Sequence, residues 1–185
     1  MIQAVGGRRS RHLWLVRHGE STWNAQGRMQ RQVSHPPLTA RGTMQAYAAG
    51  YSLQDKQIER IVSSDAVRAI QTAQAMATIL GAETVIDKRL RERGWSDAGR
   101  LVSASSRTPE HLEDPTERIQ AALLHIAASD CPTVVVTHGD IVCAVLDLLG
   151  ERDAATATWA TGTDVPNGVV LQVRLRRLIQ RPDRT

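Results

Sequence analysis

Short continuous apolar runs alternate along the chain with stretches in which apolar residues recur every three or four positions. Leu13-Trp14-Leu15-Val16 is the first run, as expected of a central strand covered on both faces, and it stops abruptly at Arg17-His18-Gly19. A polar segment follows with Gly27 and the Pro36-Pro37 pair, which no helix interior accommodates, so it reads as a loop closing at Leu38-Thr39. Thr39 is placed to cap a helix running to about Leu53. Ile61-Val62 is a second short strand. After Ser63-Ser64-Asp65, the apolar positions Val67, Ile70, Ala73, Ala77 and Leu80 predict a helix with Ser64 or Asp65 as its N-cap and Gly81 as its stop.

Val85-Ile86 suggests a third strand, whereas residues 89–115 show little periodicity and read as an irregular, lid-like stretch. Ile119, Leu123 and Ile126 mark a helix over 116–129, and Val134-Val135-Val136 lies in a buried strand over 133–137 that also ends in His-Gly. Ile141, Val142, Val145, Leu146 and Leu149 outline an apolar helix stopped by Gly150; Leu171, Val173 and Leu175 alternate as a last strand. Strands alternating with helices predict an α/β fold, a three-layer α/β/α sandwich whose central sheet is mostly parallel.

At 185 residues the chain suits one domain. No run approaches the roughly 18 apolar residues of a membrane span. The opening lacks an apolar stretch followed by a small-residue cleavage site, so a cytoplasmic protein without membrane association is expected. The net charge of +4 invites a nucleic-acid reading, but the charge sits at the ends. Residues 1–11 carry Arg8, Arg9 and Arg11, and residues 174–185 carry five arginines against Asp183, which leaves about −3 for everything between. Residues 1–11 and 176–185 are therefore expected to be flexible, solubilising basic ends, and nucleic acid is not expected as a partner. Six aromatic residues, none of them Phe, also argue against a base-stacking platform. Cys131 and Cys143 fit neither a disulfide framework nor a C-x-x-C site, and Cys143 falls on the apolar face of a helix.

The chemistry is positional. Three apolar strands end in Arg17-His18-Gly19, Ser63-Ser64-Asp65 and Thr137-His138-Gly139, and in open α/β sheets the ligand crevice lies at the carboxyl ends of strands. Arg17 supplies a forked, charge-assisted donor pair, and Arg68 falls in the first turn of a helix, where free N–H groups also favour an anion. These residue types favour phosphate. Two arginines beside two histidines oppose protonation of His18, leaving a ring nitrogen free as a nucleophile. His12, His35, His111 and His125 show no ligand spacing, and no metal site is expected.

The opening LWLVRHGESTWNAQGR resembles the signature of the histidine phosphatase superfamily, also called phosphoglycerate mutase-like. The resemblance continues through PLTARGTMQA (Pro37 to Ala46), IVSSDAVRAIQTA (Ile61 to Ala73), LRE (Leu90 to Glu92), VVVTHGD (Val134 to Asp140) and PNGVV (Pro166 to Val170). It implies that His18 attacks phosphorus and becomes phosphohistidine, that Arg17, Arg68 and His138 hold the phosphoryl oxygens, and that Glu92 is the general acid and then base. It further implies that Asn24 and Ser64 support the phosphate pocket, with Thr22 and Gly139 among its binding residues, and that no metal or organic cofactor is needed. Trp23 and Gln26 fall where the pocket mouth or simple packing would place them.

Two departures qualify the resemblance. Many members carry a Gly four positions beyond the acid and then a Trp-Glu-Gly run, whereas here Gly94 and Trp95 follow Glu92 by two and three positions. Asp97 and Asp140 are accordingly reserve candidates for the acid, Asp140 doubling as a cap for a helix beginning at Ile141. Where the family often has Gln-Gly, this chain has Gln30-Arg31, and Arg31 either meets a second anionic group or faces solvent. The segment from Glu92 to His138 is short beside that of cofactor-dependent mutases, which must shield the phosphoenzyme from water. Hydrolysis of a small phosphorylated metabolite is therefore expected. A mutase, a phosphohistidine-protein phosphatase and a low-activity phospholigand-binding regulator are the alternatives.

Overall fold

The computed structural model describes residues 12–129, 131–151 and 165–175. The basic ends expected to be flexible lie outside the described residues. The two most apolar runs become the neighbouring strands β1 (His12–Arg17) and β4 (Thr133–Thr137), paired in parallel from Leu13 opposite Thr133 to Arg17 opposite Thr137. That register releases His18 and His138 from adjacent strands at the same level. Beside β4 lies β2 (Arg60–Ser63), with Ser63 opposite Val136, so Ser64 leaves the sheet at that level too.

The sheet is completed by β3 (Glu83–Ile86), parallel to β2 at one edge, and β5 (Val170–Arg174), antiparallel to β1 at the other. The strand order is β3-β2-β4-β1-β5, a mostly parallel sheet as expected. Alternate side chains of the strands divide the core in two. Leu13, Leu15, Val62 and Val135 pack with Ile119, Leu123 and Ile126 of α5 (Thr116–Ala128) and with Ile141, Val142 and Val145 of α6 (Gly139–Leu149). Trp14, Val16, Ile61, Val134 and Val136 pack with Ala49 of α2 (Ala40–Tyr51) and with Ala69, Ala73 and Met76 of α3 (Val67–Leu80). Each fully buried aliphatic side chain contributes about 1.5–3 kcal/mol of apolar burial, so both faces help hold the strand ends in place.

Thr39 caps α2 as expected, its hydroxyl accepting from the Gly42 N–H at 3.0 Å. The cap of α3 differs from expectation: Ala66 occupies it with no side-chain bond, because Ser64 and Asp65 turn to His138 and Arg91 instead. Gly81 and Gly150 end their helices at φ +66° and +63°, a left-handed conformation that glycine adopts without strain. Helix α6 begins at Gly139 with His138 at its N-cap, so Asp140 is not the cap; it sits in the first turn and bonds Arg31. The last strand ends at Arg174, one residue short of Leu175.

The stretch over 89–115 holds only short turns and one short helix, α4 (Asp97–Leu101), and Trp95 bridges to Leu112. Another short helix, α1 (Thr22–Ala25), follows β1. Among the described residues no helix is long and apolar enough to cross a membrane.

Candidate active site

His18 is 3% exposed and continues straight out of β1, its own N–H donating to the Thr137 carbonyl at 2.9 Å. Its Nδ1–H donates to the Gly19 carbonyl at 2.7 Å, and Arg68 Nε donates to its Nε2 at 3.2 Å. These partners assign the tautomer: Nδ1 carries the proton and Nε2 carries the lone pair. Burial, then the Arg68 and Arg17 charges, push the His18 pKa down to about 3 against the opposing pull of the Gly19 carbonyl. The ring is neutral at physiological pH. The turn beyond it requires glycine twice, since a Cβ on Gly19 would lie 2.2 Å from the Gly42 carbonyl oxygen and one on Gly42 would lie 2.0 Å from that of Glu20.

Arg68, 1% exposed, stands between the two histidines: its Nη2 donates to His138 Nδ1 at 3.2 Å, and its Nη1 to the Val33 carbonyl at 3.0 Å. With Nδ1 accepting, His138 donates from Nε2 to Ser64 Oγ at 2.9 Å. Burial, followed by the neighbouring His18 and Arg68, holds the His138 pKa well below its ordinary value. Burial likewise lowers Arg68 to about 10, with Glu92 opposing that shift, which leaves it cationic near neutrality. Arg17 donates from Nη1 to the Val165 carbonyl, and its Nε is buried without a hydrogen-bond partner. The imidazole rings meet edge to face with centroids 5.2 Å apart.

A cavity of about 90 Å³ opens in front of Arg68 and His138, lined also by Glu92, Arg31, Arg91 and Asp65. Glu92 is 8% exposed, and burial, then the nearby Asp140 carboxylate, pushes its pKa up to about 7. Its loop is braced by Arg118 of α5, which donates to the carbonyls of Arg91 at 2.8 Å and Glu92 at 3.2 Å. Of the reserve acids, Asp97 is at the surface, its side chain 96% exposed and paired with Arg100, so it is remote from this chemistry. Asp140 is bound to Arg31 at 2.7 Å. Arg31 is thus a cavity wall, not a solvent-facing side chain.

Asn24 and Thr22 do not line this cavity. The Asn24 side-chain oxygen accepts from the Ser21 N–H at 3.1 Å and from Asn167 Nδ2 at 3.2 Å, and the same Asn167 amide donates to the His18 carbonyl at 3.1 Å. Asn24 therefore reaches the nucleophile through one intermediary. Thr22 donates its N–H to the Pro37 carbonyl at 3.0 Å, and Gly139 is the buried first residue of α6. Trp23 is a packing residue, lying under Arg28 at 3.9 Å and meeting His35 edge to face at 5.3 Å. His111 bonds Thr108, and His125 is exposed on α5.

Four functional residues carried no assignment in the sequence. Asn167 and Gly168 hold the end of β1, the Gly168 N–H donating to the Arg17 carbonyl at 3.0 Å; PNGVV was the available signal. Thr72, one turn after Arg68, accepts from the Gly19 N–H at 3.1 Å, and Arg118 offered only its place on a helix face. Among the described residues no group of three or more His, Cys, Asp or Glu side chains is placed to hold a metal ion.

Two buried neutral imidazoles and two guanidiniums at the carboxyl ends of a parallel sheet, with a carboxyl group opposite, define a phosphoryl-handling site on an α/β sandwich. The sequence profile of the histidine phosphatase superfamily (branch 1) matches residues 13–176, and the chain belongs to that family. By class it is a phosphoric monoester hydrolase. A probable phosphoglycerate mutase from Salmonella arizonae is 34% identical, over 75% of this chain and 74% of that one. A mycobacterial glucosyl-3-phosphoglycerate phosphatase, solved with VO3, is 28% identical with a TM-score of 0.70, covering 88% of this chain and 90% of that one. A 20% identical structure from Escherichia coli, TM-score 0.70 with 92% of this chain and 93% of that one covered, bears on the fold alone.

Proposed function

We propose that the protein hydrolyses a small phosphorylated metabolite through a phosphohistidine at His18. The observation that carries this reading is the His18 tautomer: Nδ1–H is tied to a backbone carbonyl, and Nε2 offers a lone pair beside a guanidinium. Arg68 covers that lone pair and lines the cavity, so an incoming phosphoryl group draws the Arg68 donors onto its oxygens and uncovers Nε2. In the first step Nε2 bonds to phosphorus as the ester P–O bond breaks, and the Glu92 carboxyl protonates the departing oxygen. In the second, Glu92 as carboxylate takes a proton from water, the new P–O bond forms, and the P–N bond breaks to restore the imidazole. Arg17 and Arg68 stabilise the charge on the equatorial oxygens, and His138 joins them once its Nδ1, vacated by Arg68, takes up a proton beside the phosphoryl dianion; positioning and electrostatics dominate phosphoryl transfer.

The pKa values support the division of labour, with His18 neutral above about pH 3 and Glu92 half-protonated near 7. No metal enters these steps, and the partner is the substrate alone, without nucleic acid or membrane, in the cytoplasm. Hydrolysis of an activated aryl phosphate by wild type and His18→Ala, each with and without chelator, is the test. Chelator-insensitive turnover lost in the variant is expected; metal-dependent turnover contradicts the mechanism.

The name of the Salmonella relative favours a second reading, transfer between phosphoglycerates. The short, mostly irregular cover over 89–115 speaks against it, since a mutase must keep water from the phosphoenzyme. Partitioning of the phosphoryl group between water and 3-phosphoglycerate separates the two.

A further inference from the structure

The arginines of the site divide by how their charge is balanced. Among the described residues, Arg17 and Arg68 make no ion pair: their guanidiniums meet backbone carbonyls and imidazoles only. Arg68 lines the cavity, and the two arginines that line it with Arg68 are each matched by a carboxylate, Arg31 by Asp140 at 2.7 Å and Arg91 by Asp65 through two bonds of 2.8 and 2.5 Å. Arg93 is not among the lining residues; its Nε donates to the Glu113 carbonyl.

A phosphate monoester near neutral pH carries close to two negative charges, which two uncompensated guanidiniums match. Among the described residues that line the cavity, nothing cationic is left over for a second anion. A carboxylate on the leaving group would face Asp65 and Glu92 across a small cavity, with Asp140 close behind on Arg31 and no unpaired positive charge beyond the phosphate-binding pair among the lining residues to meet it. Uncharged hydrogen bonding does remain on offer, because Gln32 and Ser34 also line the cavity. The cavity, about 90 Å³, has room for several water-sized groups beside Arg31.

We infer that the leaving group is neutral and hydroxyl-bearing, and that the Arg31–Asp140 and Arg91–Asp65 pairs are specificity-determining residues that exclude a second acidic group. This rests on the phosphomonoesterase reading and adds a substrate class to it.

The test uses two phosphates of equal carbon count, glycerol 3-phosphate and 3-phosphoglycerate, as competitors of aryl phosphate hydrolysis, so neither has to be turned over. Wild type is expected to bind the glycerol ester tighter by on the order of tenfold, the scale of one like-charge contact at a partly wet site. Asp140→Asn frees Arg31 and is expected to erase or invert that ratio. Asp65→Asn gives a smaller shift in the same direction, because the Arg91 side chain is 43% exposed and screened, and it keeps the test open if Asp140→Asn fails to fold. Equal binding of the two esters by wild type, preference for the acid, absence of competition by either, or a ratio unmoved in both variants overturns the inference. Absence of aryl phosphate hydrolysis is a different result and strikes the phosphomonoesterase reading itself.

Discussion

Glu92 shows how one side chain is tuned by its surroundings. Burial and the neighbouring Asp140 charge raise it to about 7, so it holds a proton at the pH where His18 is already an unprotonated nucleophile. Glu92→Gln should slow phosphoenzyme formation from alkyl phosphates by roughly 10²- to 10⁴-fold and from aryl phosphates, whose leaving oxygens need little protonation, far less, while hydrolysis of the phosphoenzyme slows for both. Equal losses in phosphoenzyme formation would move the acid role elsewhere. In wild type, alkyl phosphate turnover should fall as pH rises through about 7 while aryl turnover holds, and a flat alkyl profile would deny Glu92 its proton. The residues readable from sequence were those adjacent in one motif or at strand ends: His18, Arg17, Arg68, His138. Asn167 was not readable as a support, since its hold on the His18 carbonyl joins residues 149 positions apart.

Among the elements, the turn after β1 and the start of α2 approach each other closely. A methyl group added at Gly42 would have only 2.0 Å to the Glu20 carbonyl oxygen, so Gly42→Ala must push backbone apart beside the nucleophile. A loss of roughly 3 kcal/mol or more of unfolding free energy is expected by denaturant titration, together with reduced activity. A change under about 0.5 kcal/mol would mean that the turn yields freely. Helix α5 contributes differently, through the Arg118 bonds to the Glu92 loop. Arg118→Ala should lower kcat for alkyl phosphates about tenfold with KM little changed, and Arg118→Lys should restore part of it; a KM effect alone would make Arg118 a binding residue. The longer elements were legible because their periods were clean, but the short helices α1 and α4, in segments that read as loop and irregular stretch, and the α3 cap were not. Ser64 and Asp65 are good caps in isolation, and tertiary partners claimed both.

For the molecule as a whole, two buried neutral histidines set the acid response. The unfolded chain protonates His18 and His138 below about 6.5 whereas the folded chain does not until far lower, so stability is lost as pH falls. Glu92 acts in the opposite sense between about 4.5 and 7, because the folded state keeps its proton there while the unfolded state releases it. From pH 6 to 5 the balance is close to one proton, a loss of about 1.4 kcal/mol per pH unit. His18→Ala should nearly abolish that slope in denaturant titrations, and an unchanged slope would contradict a buried neutral His18. The sheet and its two covering layers were legible from the alternation of runs and periods. The antiparallel direction of β5 was not, since alternation marks a strand without giving its sense. Nor was the sorting of arginines into paired and unpaired, which depends on Arg31 meeting Asp140 across 109 positions.

The central claim is a covalent one, and trapping tests it most directly. Wild type and His18→Ala are mixed with a ³²P-labelled aryl phosphate, quenched within milliseconds and resolved under alkaline denaturing conditions, where phosphohistidine survives. The account predicts an acid-labile, alkali-stable label on wild type, mapped to His18 and absent from the variant. Label of the same kind on His18→Ala, or on a residue other than His18 in wild type, would contradict it.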